Sequence, residues 1–387
     1  MPETKYSISF VIPCLDEQAT LPLVLEKINR LRSTTFADRA VEIVVADNGS
    51  TDDSVAIARS HGARVEHCPV RGYGAALQWG IRAAEHDLVI FADADDTYDF
   101  LESPRLVTEL ERGFDMVVGS RLDGEIHAGA MPPLHRWLGT PVLNLFINLL
   151  HARGGNRVRD CNSGFRCFKR EAFATWGVDS TGMEFASEML VKALKAQARF
   201  SQVPVSLYAD RVERRPHLRT WRDGMRHLMQ VFLEAPQFFH HVGLTIGIVS
   251  WMLLLGGWVF GPFVIGFASV FGLHTMMFAL LGSLFGLSVW SSGLLLAARV
   301  PSKLRLYSSL LEMSEGQLFW SAAGFVTISV GFFLGIVVRW AMNDFRFLAL
   351  ERETMLLTAF GANGILLVAN VLTARLLKQS GPPSHST

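Results

Sequence analysis

Apolar positions change rhythm along this chain, and the change divides it. Up to Ala92, short apolar runs of strand length alternate with stretches whose apolar residues recur at helical spacing. The pattern predicts strands over Tyr6–Pro13, Val41–Ala46, Arg64–His67 and Asp87–Ala92, with helices over Ala19–Leu31, Asp53–His61 and Gly74–His86. Such βαβα alternation argues for a mostly parallel sheet covered by helices on both faces. From Val242 to Ala298 there is no Asp, Glu, Lys or Arg, and four apolar stretches can be drawn at 242–265, 275–298, 318–338 and 355–377. Each has roughly the twenty residues a bilayer needs. The expectation is an α/β, Rossmann-like domain over 1–210, basic amphipathic juxtamembrane helices over 211–241, a four-helix transmembrane domain over 242–378 and a tail over 379–387.

Two stretches fit neither rhythm. Trp137 to Leu150 is apolar and uncharged, but it is short for a span and contains Pro141. Thr140, Asn144, Asn148 and His151 fall at i, i+4, i+8 and i+11, a polar stripe along one helix face. A crossing here would place Asp160, Arg166 and Glu184 across the bilayer from Asp93. A helix lying in the membrane plane fits better, with packing into the soluble core as the plain alternative. Farther on, Arg211, Arg214, Arg215, Arg219, Arg222 and Arg226 make a basic segment, and Trp221, Met225, Leu228 and Phe232 line one helical face beside them. That combination suits anionic headgroups and a lipid phosphate. Nucleic acid is the rival partner for an arginine cluster; the adjoining apolar stretches and the lack of a stacking or zinc motif argue against it.

Composition sharpens the division. The 387 residues have formal net charge zero and are 50% hydrophobic, with charge concentrated before residue 242. Met1 to Tyr6 has no basic region followed by an apolar one, so no signal peptide is expected and the first domain should stay in the cytoplasm. Arg299, Lys303 and Arg305 after the second stretch, and Arg375 and Lys378 at the end of the fourth, fit that orientation. No charge lies mid-span, which argues for an anchor and against an ion-coupled transporter. Gly256-Gly257 and the Gly282/Gly286 pair could permit close helix approach, within the chain or in a homo-oligomer. Cys14, Cys68, Cys161 and Cys167 form no Cys-x-x-Cys pair and read as free thiols.

Candidate chemistry gathers where the strands end. Pro13–Glu17, Asp47–Asp52 and Asp93–Asp99 converge on one sheet edge, where ligands of open α/β sheets bind. Asp93 and Asp95 lie two apart, so an extended backbone points both to one side. Hard oxygens so placed suit a magnesium or manganese ion that shares its other positions with water and substrate phosphate. An acidic turn closing a strand is the plain alternative. Arg121 follows the apolar run Met116 to Val118, and its fork suits bidentate phosphate binding; a salt bridge is the alternative. Arg136 and Thr140, four apart on an expected helix, should share a face.

These motifs resemble, in order and content over roughly residues 6–240, the GT-A glycosyltransferases of family 2. The carriers are Ile12-Pro13-Cys14-Leu15-Asp16-Glu17, Asp47-Asn48-Gly49-Ser50-Thr51-Asp52, Gly72-Tyr73-Gly74 and Asp93-Ala94-Asp95, with support from Gly119-Ser120-Arg121, Leu134-His135-Arg136, Asp160-Cys161-Asn162-Ser163-Gly164-Phe165-Arg166 and Gly182-Met183-Glu184. Within that family the polyprenyl-phosphate sugar synthases, the dolichyl-phosphate mannose and glucose group, are the more similar. Asn48 departs from the pattern, where a second Asp is common, and so does Thr97, where mannose synthases can have Gln.

The resemblance implies that Pro13, Leu15, Glu17, Val45 and Asp47 hold the nucleoside, and that Gly72, Ala94 and Arg211 also contact the donor. Asp93 and Asp95, with Thr97 as a third contact, would hold Mg2+ or Mn2+. Arg136, Thr140, Ser163 and Arg166 would contact the acceptor phosphate. Glu184 and Glu188 are assigned to positioning sugar or acceptor, with base catalysis by Glu184 a weaker option. The reaction implied is inverting transfer of a hexose from a nucleotide sugar to a polyprenyl phosphate, with UDP-glucose favoured over GDP-mannose. Transfer to a hydroxyl acceptor, or a scaffold with an inactive transferase domain, are the other readings.

Overall fold

The computed structural model describes residues 5–152, 157–211, 220–265, 268–300, 304–344 and 351–379. Arg214, Arg215, Arg219, Lys303, the Trp221 side chain and all but the first residue of the 379–387 tail lie outside what is described. The chain divides into two compact units, Met1–Phe232 and Leu233–Thr387.

The first unit holds a seven-stranded sheet of β1 (Ile8–Cys14), β2 (Val41–Asp47), β3 (Arg64–His67), β4 (Leu88–Phe91), β5 (Met116–Ser120), β6 (Arg166–Lys169) and β7 (Phe200–Pro204), in the order β3-β2-β1-β4-β6-β5-β7. All neighbours are parallel except β6, which runs antiparallel to both β4 and β5. Its helices are α1 (Leu21–Ser33), α2 (Ser54–Ser60), α3 (Tyr73–Ala83), α4 (Ser103–Glu111), α5 (Thr140–Leu150), α6 (Arg170–Trp176), α7 (Phe185–Lys195) and α8 (Thr220–Leu233). Central strands are buried on both faces: Phe10 and Ile12 pack with Leu21 and Leu25 on one side, while Val11, Val44 and Phe91 pack with Leu77 and Leu190 on the other. Each such side chain contributes about 1.5–3 kcal/mol by leaving water. This is the Rossmann-like GT-A sheet expected. Reversing β6 brings the segment before Arg166 to the carboxyl edge of β1, β2, β4 and β5.

Two amphipathic expectations are corrected. In α5 the polar stripe faces inward: Thr140, Asn144 and His151 are buried. Asn144 donates to the Arg159 carbonyl (2.5 Å) and accepts from Cys161 N–H (3.0 Å), and Asn148 pairs with the backbone of Val158 in both directions. These amides satisfy a stretch of chain that has no strand partner. Leu143 and Ile147 join the core, while Leu145 and Leu149 and, just before the helix, Trp137 and Leu138 are exposed. In α8 the packed face is Gly224, His227, Leu228 and Val231, Met229 is exposed, and Met225, though largely exposed, also lines the cavity described below. His227 meets Ser187 Oγ (2.9 Å) and Phe232 packs on Phe146. The segment expected as a separate juxtamembrane piece thus belongs, through Phe232, to the first unit.

The second unit contains α9 (Pro236–Val259), a hairpin of β8 (Phe263–Ile265) and β9 (Ala268–Val270), α10 (Leu273–Ala297), α11 (Arg305–Glu312), α12 (Glu315–Met342) and α13 (Glu351–Gln379). Four of these helices, α9, α10, α12 and α13, are long and apolar enough to cross a membrane. The first starts at Pro236 and stops at Val259, earlier than the apolar run suggests. Pro236 is tolerated in a first turn, and Gly261 (φ 70°) followed by Pro262 prevents continuation. The close helix approach expected at the glycines occurs within the chain: a Cβ on Gly286 would meet the backbone of Gly243 and Gly247, and Gly282 faces Ser250. The four cysteines are free and buried.

Candidate active site

β4 is fully apolar up to Phe91, and the chain then turns so that Asp93 and Asp95 line a cavity of about 590 Å³. Asp96 closes the turn at φ 59° and is buried away from the cavity lining. Lys27 donates to its Oδ1 (2.7 Å), and Arg211 Nε stands 2.9 Å from its Oδ2 without pointing an N–H squarely at it. The donor contact implied for Arg211 is therefore corrected: its charge is paired with this carboxylate. Thr97 donates from both backbone N–H (3.1 Å) and hydroxyl (2.6 Å) to Asp95 Oδ1, so it orients that carboxylate. Tyr73 donates from its hydroxyl to Asp93 Oδ1 (2.8 Å). Burial and the neighbouring Asp95 push Asp93 up to about 7, against the pull of Tyr73 and Arg121. Two carboxylates that oppose each other's charge fit a divalent cation. Gly164 fits one too, because a Cβ there would stand 3.0 Å from Asp93 Oδ2. Among the described residues no group of three His, Cys, Asp or Glu side chains could form a fuller ligand set. Magnesium and manganese commonly take one or two carboxylates and complete their shell from phosphate and water.

Arg121, at the end of β5, also lines the cavity. Its Nε and one terminal nitrogen form a fork with Asp160 (2.8 and 2.7 Å), and Asp160 additionally accepts from Arg121 N–H (2.9 Å). Burial disfavours both charges, but the pairing outweighs it: the Asp160 carboxyl sits below its usual range and the Arg121 guanidinium above its own. Arg121 is thus a fixed cation at the cavity wall, buttressed by a partner the sequence reading quoted without a role.

The acceptor-side expectations divide. The chain enters α5 through a π-helical turn, His135–Gly139. A wider turn breaks the four-residue alignment, so Arg136 and Thr140 do not share a face. Thr140 lines the cavity, and so does His135, whose pKa is lowered by burial and by Arg121. Arg136 is exposed, its guanidinium 5.2 Å from the Trp137 ring centre. Ser163 and Arg166 are corrected. Both are fully buried, and Arg166 donates to the carbonyls of Ser163 (2.9 Å), Ala186 (2.6 Å) and Cys161 (2.8 Å). With its fork filled by backbone and its pKa lowered to about 10 by burial, Arg166 braces the loop before β6. Glu188 is likewise structural, accepting from Asp179 and Ser180 N–H and pairing with Lys192 (2.5 Å). Glu184 starts α7, and its Oε2 is buried without a hydrogen-bond partner beside Gly182.

On the donor side, the side chains of Val45 and Ala94 are buried in the core, so neither offers a side chain to a nucleoside, which corrects that expectation. Pro13, Leu15 and Glu17 are partly exposed at the end of β1, with Glu17 accepting from Thr20 Oγ1 (2.9 Å). Asp47 is buried and accepts from Gly49 N–H (3.3 Å), Ser50 N–H (2.9 Å) and His67 (3.0 Å), which occupies the carboxylate expected to read the base. Asn48 explains its own departure: it donates to the Val70 carbonyl (2.7 Å) and accepts from Gly72 N–H (2.8 Å), a pair of roles an aspartate cannot fill. The Gly72 N–H, which a donor phosphate could have used, is thus taken by Asn48, and the residue sits at φ 141°, a turn before α3.

Besides the charged groups the cavity is lined by Met131, Leu138 and Leu143 before and within α5, Met183 ahead of α7, and Met225 and Leu228 on α8. Leu138 and Met225 are also exposed, so an apolar surface continues from the wall to the outside.

A family model described as Glycosyl transferase family 2 matches residues 9–177. The chain is 35% identical over 273 residues to a low-salt glycan biosynthesis hexosyltransferase of Haloferax volcanii, covering 70% of this chain and 63% of that protein. An uncharacterized glycosyltransferase of Mycobacterium tuberculosis is 33% identical over 200 residues, 52% of this chain and 84% of the relative. A dolichyl-phosphate hexose transferase of Haloferax volcanii is 29% identical over 200 residues, 51% of this chain and 81% of the relative.

Proposed function

Taking as premise that the chain belongs to glycosyltransferase family 2, we propose that it transfers a hexose from a nucleotide sugar to a polyprenyl phosphate, with inversion at the anomeric carbon. The observation that carries this reading is one cavity lined by two unlike kinds of residue: Asp93, Asp95 and the clamped Arg121, together with apolar side chains from the π turn, α5 and α8. A diphosphate-linked sugar suits the first, and a lipid with a charged head suits the two together. The name of the dolichyl-phosphate hexose transferase relative points the same way.

A bound Mg2+ or Mn2+ would supply charge neutralisation for the leaving diphosphate. Asp93 and Asp95 would hold it. Arg121, fixed by Asp160 before any ligand arrives, offers positive charge where the leaving group develops its own, with little reorganisation at the moment of reaction. An acceptor phosphate is largely ionised at neutral pH, its second pKa lying near 6 by analogy with phosphoamino acids. Its oxygen attacks the anomeric carbon as the bond to the diphosphate breaks, so no side chain must remove a proton first. In this reading Thr140 and His135, which line the cavity, would meet its head, and Arg136 would meet it at the exposed turn. The exposed Trp137, Leu138, Leu145 and Leu149 would lie in the membrane interface, with the catalytic domain cytoplasmic and the four long apolar helices anchoring the protein.

The test is a panel of radiolabelled UDP-glucose, UDP-galactose and GDP-mannose, each offered with undecaprenyl phosphate, diacylglycerol or a free disaccharide. Label entering lipid only with undecaprenyl phosphate, as the β-phosphosugar, is the expected result, with UDP-glucose preferred. Transfer confined to the hydroxyl acceptors overturns the acceptor assignment.

A further inference from the structure

One polar contact in the cavity has no part in the reading so far. α3 begins at Tyr73, whose hydroxyl reaches Asp93 Oδ1 at 2.8 Å. The helix can start there only because its flanking residues lack a Cβ. A Cβ on Gly72 would run into the Thr181 carbonyl, and one on Gly74 into the carbonyls of Ser180 and Gly182. Ala75 N–H donates to the Thr181 carbonyl (3.0 Å) and the Gln78 amide to that of Ser180 (2.9 Å), so the first turn of α3 is sewn to the 180–182 loop. That loop is held from its other side, where Glu188 accepts from Ser180 N–H (2.8 Å). The phenol therefore sits on a braced helix start, aimed at one oxygen of one carboxylate. The other oxygen, Oδ2, lies beside Gly164, which lines the cavity.

We propose that Tyr73 is a positioning residue for the divalent cation: by donating to Asp93 Oδ1 it fixes the rotation of that carboxylate and leaves Oδ2 for the ion. The proposal rests on the reading of Asp93 and Asp95 as metal ligands. A group that orients a ligating carboxylate through a hydrogen bond typically governs metal affinity by ten- to a hundred-fold. The glycines on either side of Tyr73 then serve the metal site through helix placement, and not by cradling phosphate.

The experiment is Mn2+ binding to the purified full-length protein in detergent, followed by electron paramagnetic resonance with UDP and, separately, GDP. Tyr73→Phe removes one oxygen and keeps the ring. It should weaken Mn2+ binding roughly ten- to a hundred-fold while the cooperative melting transition persists. Asp95→Asn, run beside it, should abolish binding. Wild-type Mn2+ affinity in Tyr73→Phe, with binding lost in Asp95→Asn, overturns the role of Tyr73 and leaves the metal reading standing. Wild-type affinity in Asp95→Asn overturns both. Loss of Mn2+ binding in Tyr73→Phe that comes only with loss of the melting transition also counts against the positioning role, since it shows a residue needed for folding alone.

Discussion

Among the aspartates at the carboxyl edge of the sheet, two pairs do two different jobs. Asp47 and Asp160 are committed to the fold: the first is filled by two backbone N–H groups and His67, the second by the Arg121 fork and backbone. Asp93 and Asp95 line the cavity and work against each other's charge, which burial and proximity push up to about 7 at Asp93. Residue type is the same in both pairs, and three of the four follow or end a strand, Asp160 lying instead in the loop before β6. What separates them is the charge beside them: Asp160 is clamped by the Arg121 guanidinium and Asp47 by backbone N–H groups and His67, whereas Asp93 has the Asp95 carboxylate as its neighbour. A carboxylate surrounded by N–H groups and a guanidinium is stabilised as an anion and needs nothing further. Two carboxylates brought together without a cation between them store a repulsion that a cation relieves.

The sharpest way to break this comparison is to neutralise one member of each pair. Asp95→Asn should leave a folded protein and remove transfer by about a thousand-fold, in line with losing a preorganised charge at the transition state. Chelation with EDTA should reproduce the loss in the wild type, and added Mg2+ or Mn2+ should reverse it. Full turnover in EDTA would sink the assignment. Asp160→Asn should do the opposite, acting first on stability. It leaves the largely buried Arg121 without its partner, which costs about 3 kcal/mol in a denaturant titration. The wild-type pair also has a predictable acid response. Because Asp160 is held below its unfolded value of about 3.9, the stability it contributes is fully present above that pH. It is lost as pH falls through the lower, folded value. A melting temperature in the wild type and the variant that falls in parallel below pH 4 would show that the pair contributes nothing.

Much of the fold was legible because strand and helix periods are strong signals: β1 to β4, the first three helices and α10, α12 and α13 lie within a few residues of expectation, and α9 begins and ends six residues early. The cavity carboxylates were legible too, as a clustered motif after a buried strand. Three things were hidden for physical reasons. The reversed β6 depends on a loop before Arg166 that is held by a buried guanidinium, and a lone arginine in a sequence looks like a solvent or phosphate contact. The inward polar stripe of α5 is periodic whichever way it faces; only the unpaired backbone of Val158 to Cys161 decides that it faces in. The π turn at His135–Gly139 shifts Arg136 off the face it would share with Thr140, and no residue in it announces a wider turn. Tyr73 carries a signal of its own, a large polar residue between two glycines where α3 meets the 180–182 loop backbone.

The same division applies to the cations, and it yields the smallest expected effect. Arg121 and Arg166 have their forks filled, by Asp160 and by three carbonyls, whereas Arg136 lies exposed against the Trp137 ring. If Arg136 meets the acceptor phosphate at that exposed turn, water screens the contact, and its loss costs about 1 kcal/mol, roughly a five-fold rise in apparent KM for polyprenyl phosphate. KM for the nucleotide sugar should not move, since Arg136 is not among the residues lining the cavity beside Asp93. Glu184→Gln supplies the contrast. An ionised phosphate does not wait for a base, so this variant should keep measurable turnover. It should also stay folded, because Glu184 Oε2 is already buried without a hydrogen-bond partner and an amide there removes a charge from a poorly satisfied position. A hydroxyl acceptor reverses the pattern, because its proton must go somewhere as the glycosidic bond forms: Glu184→Gln would then be nearly inactive and Arg136→Ala nearly wild-type. Steady-state kinetics of the two variants, with nucleotide sugar and polyprenyl phosphate varied separately, distinguishes the two patterns, and the reversed one would end the lipid-phosphate reading.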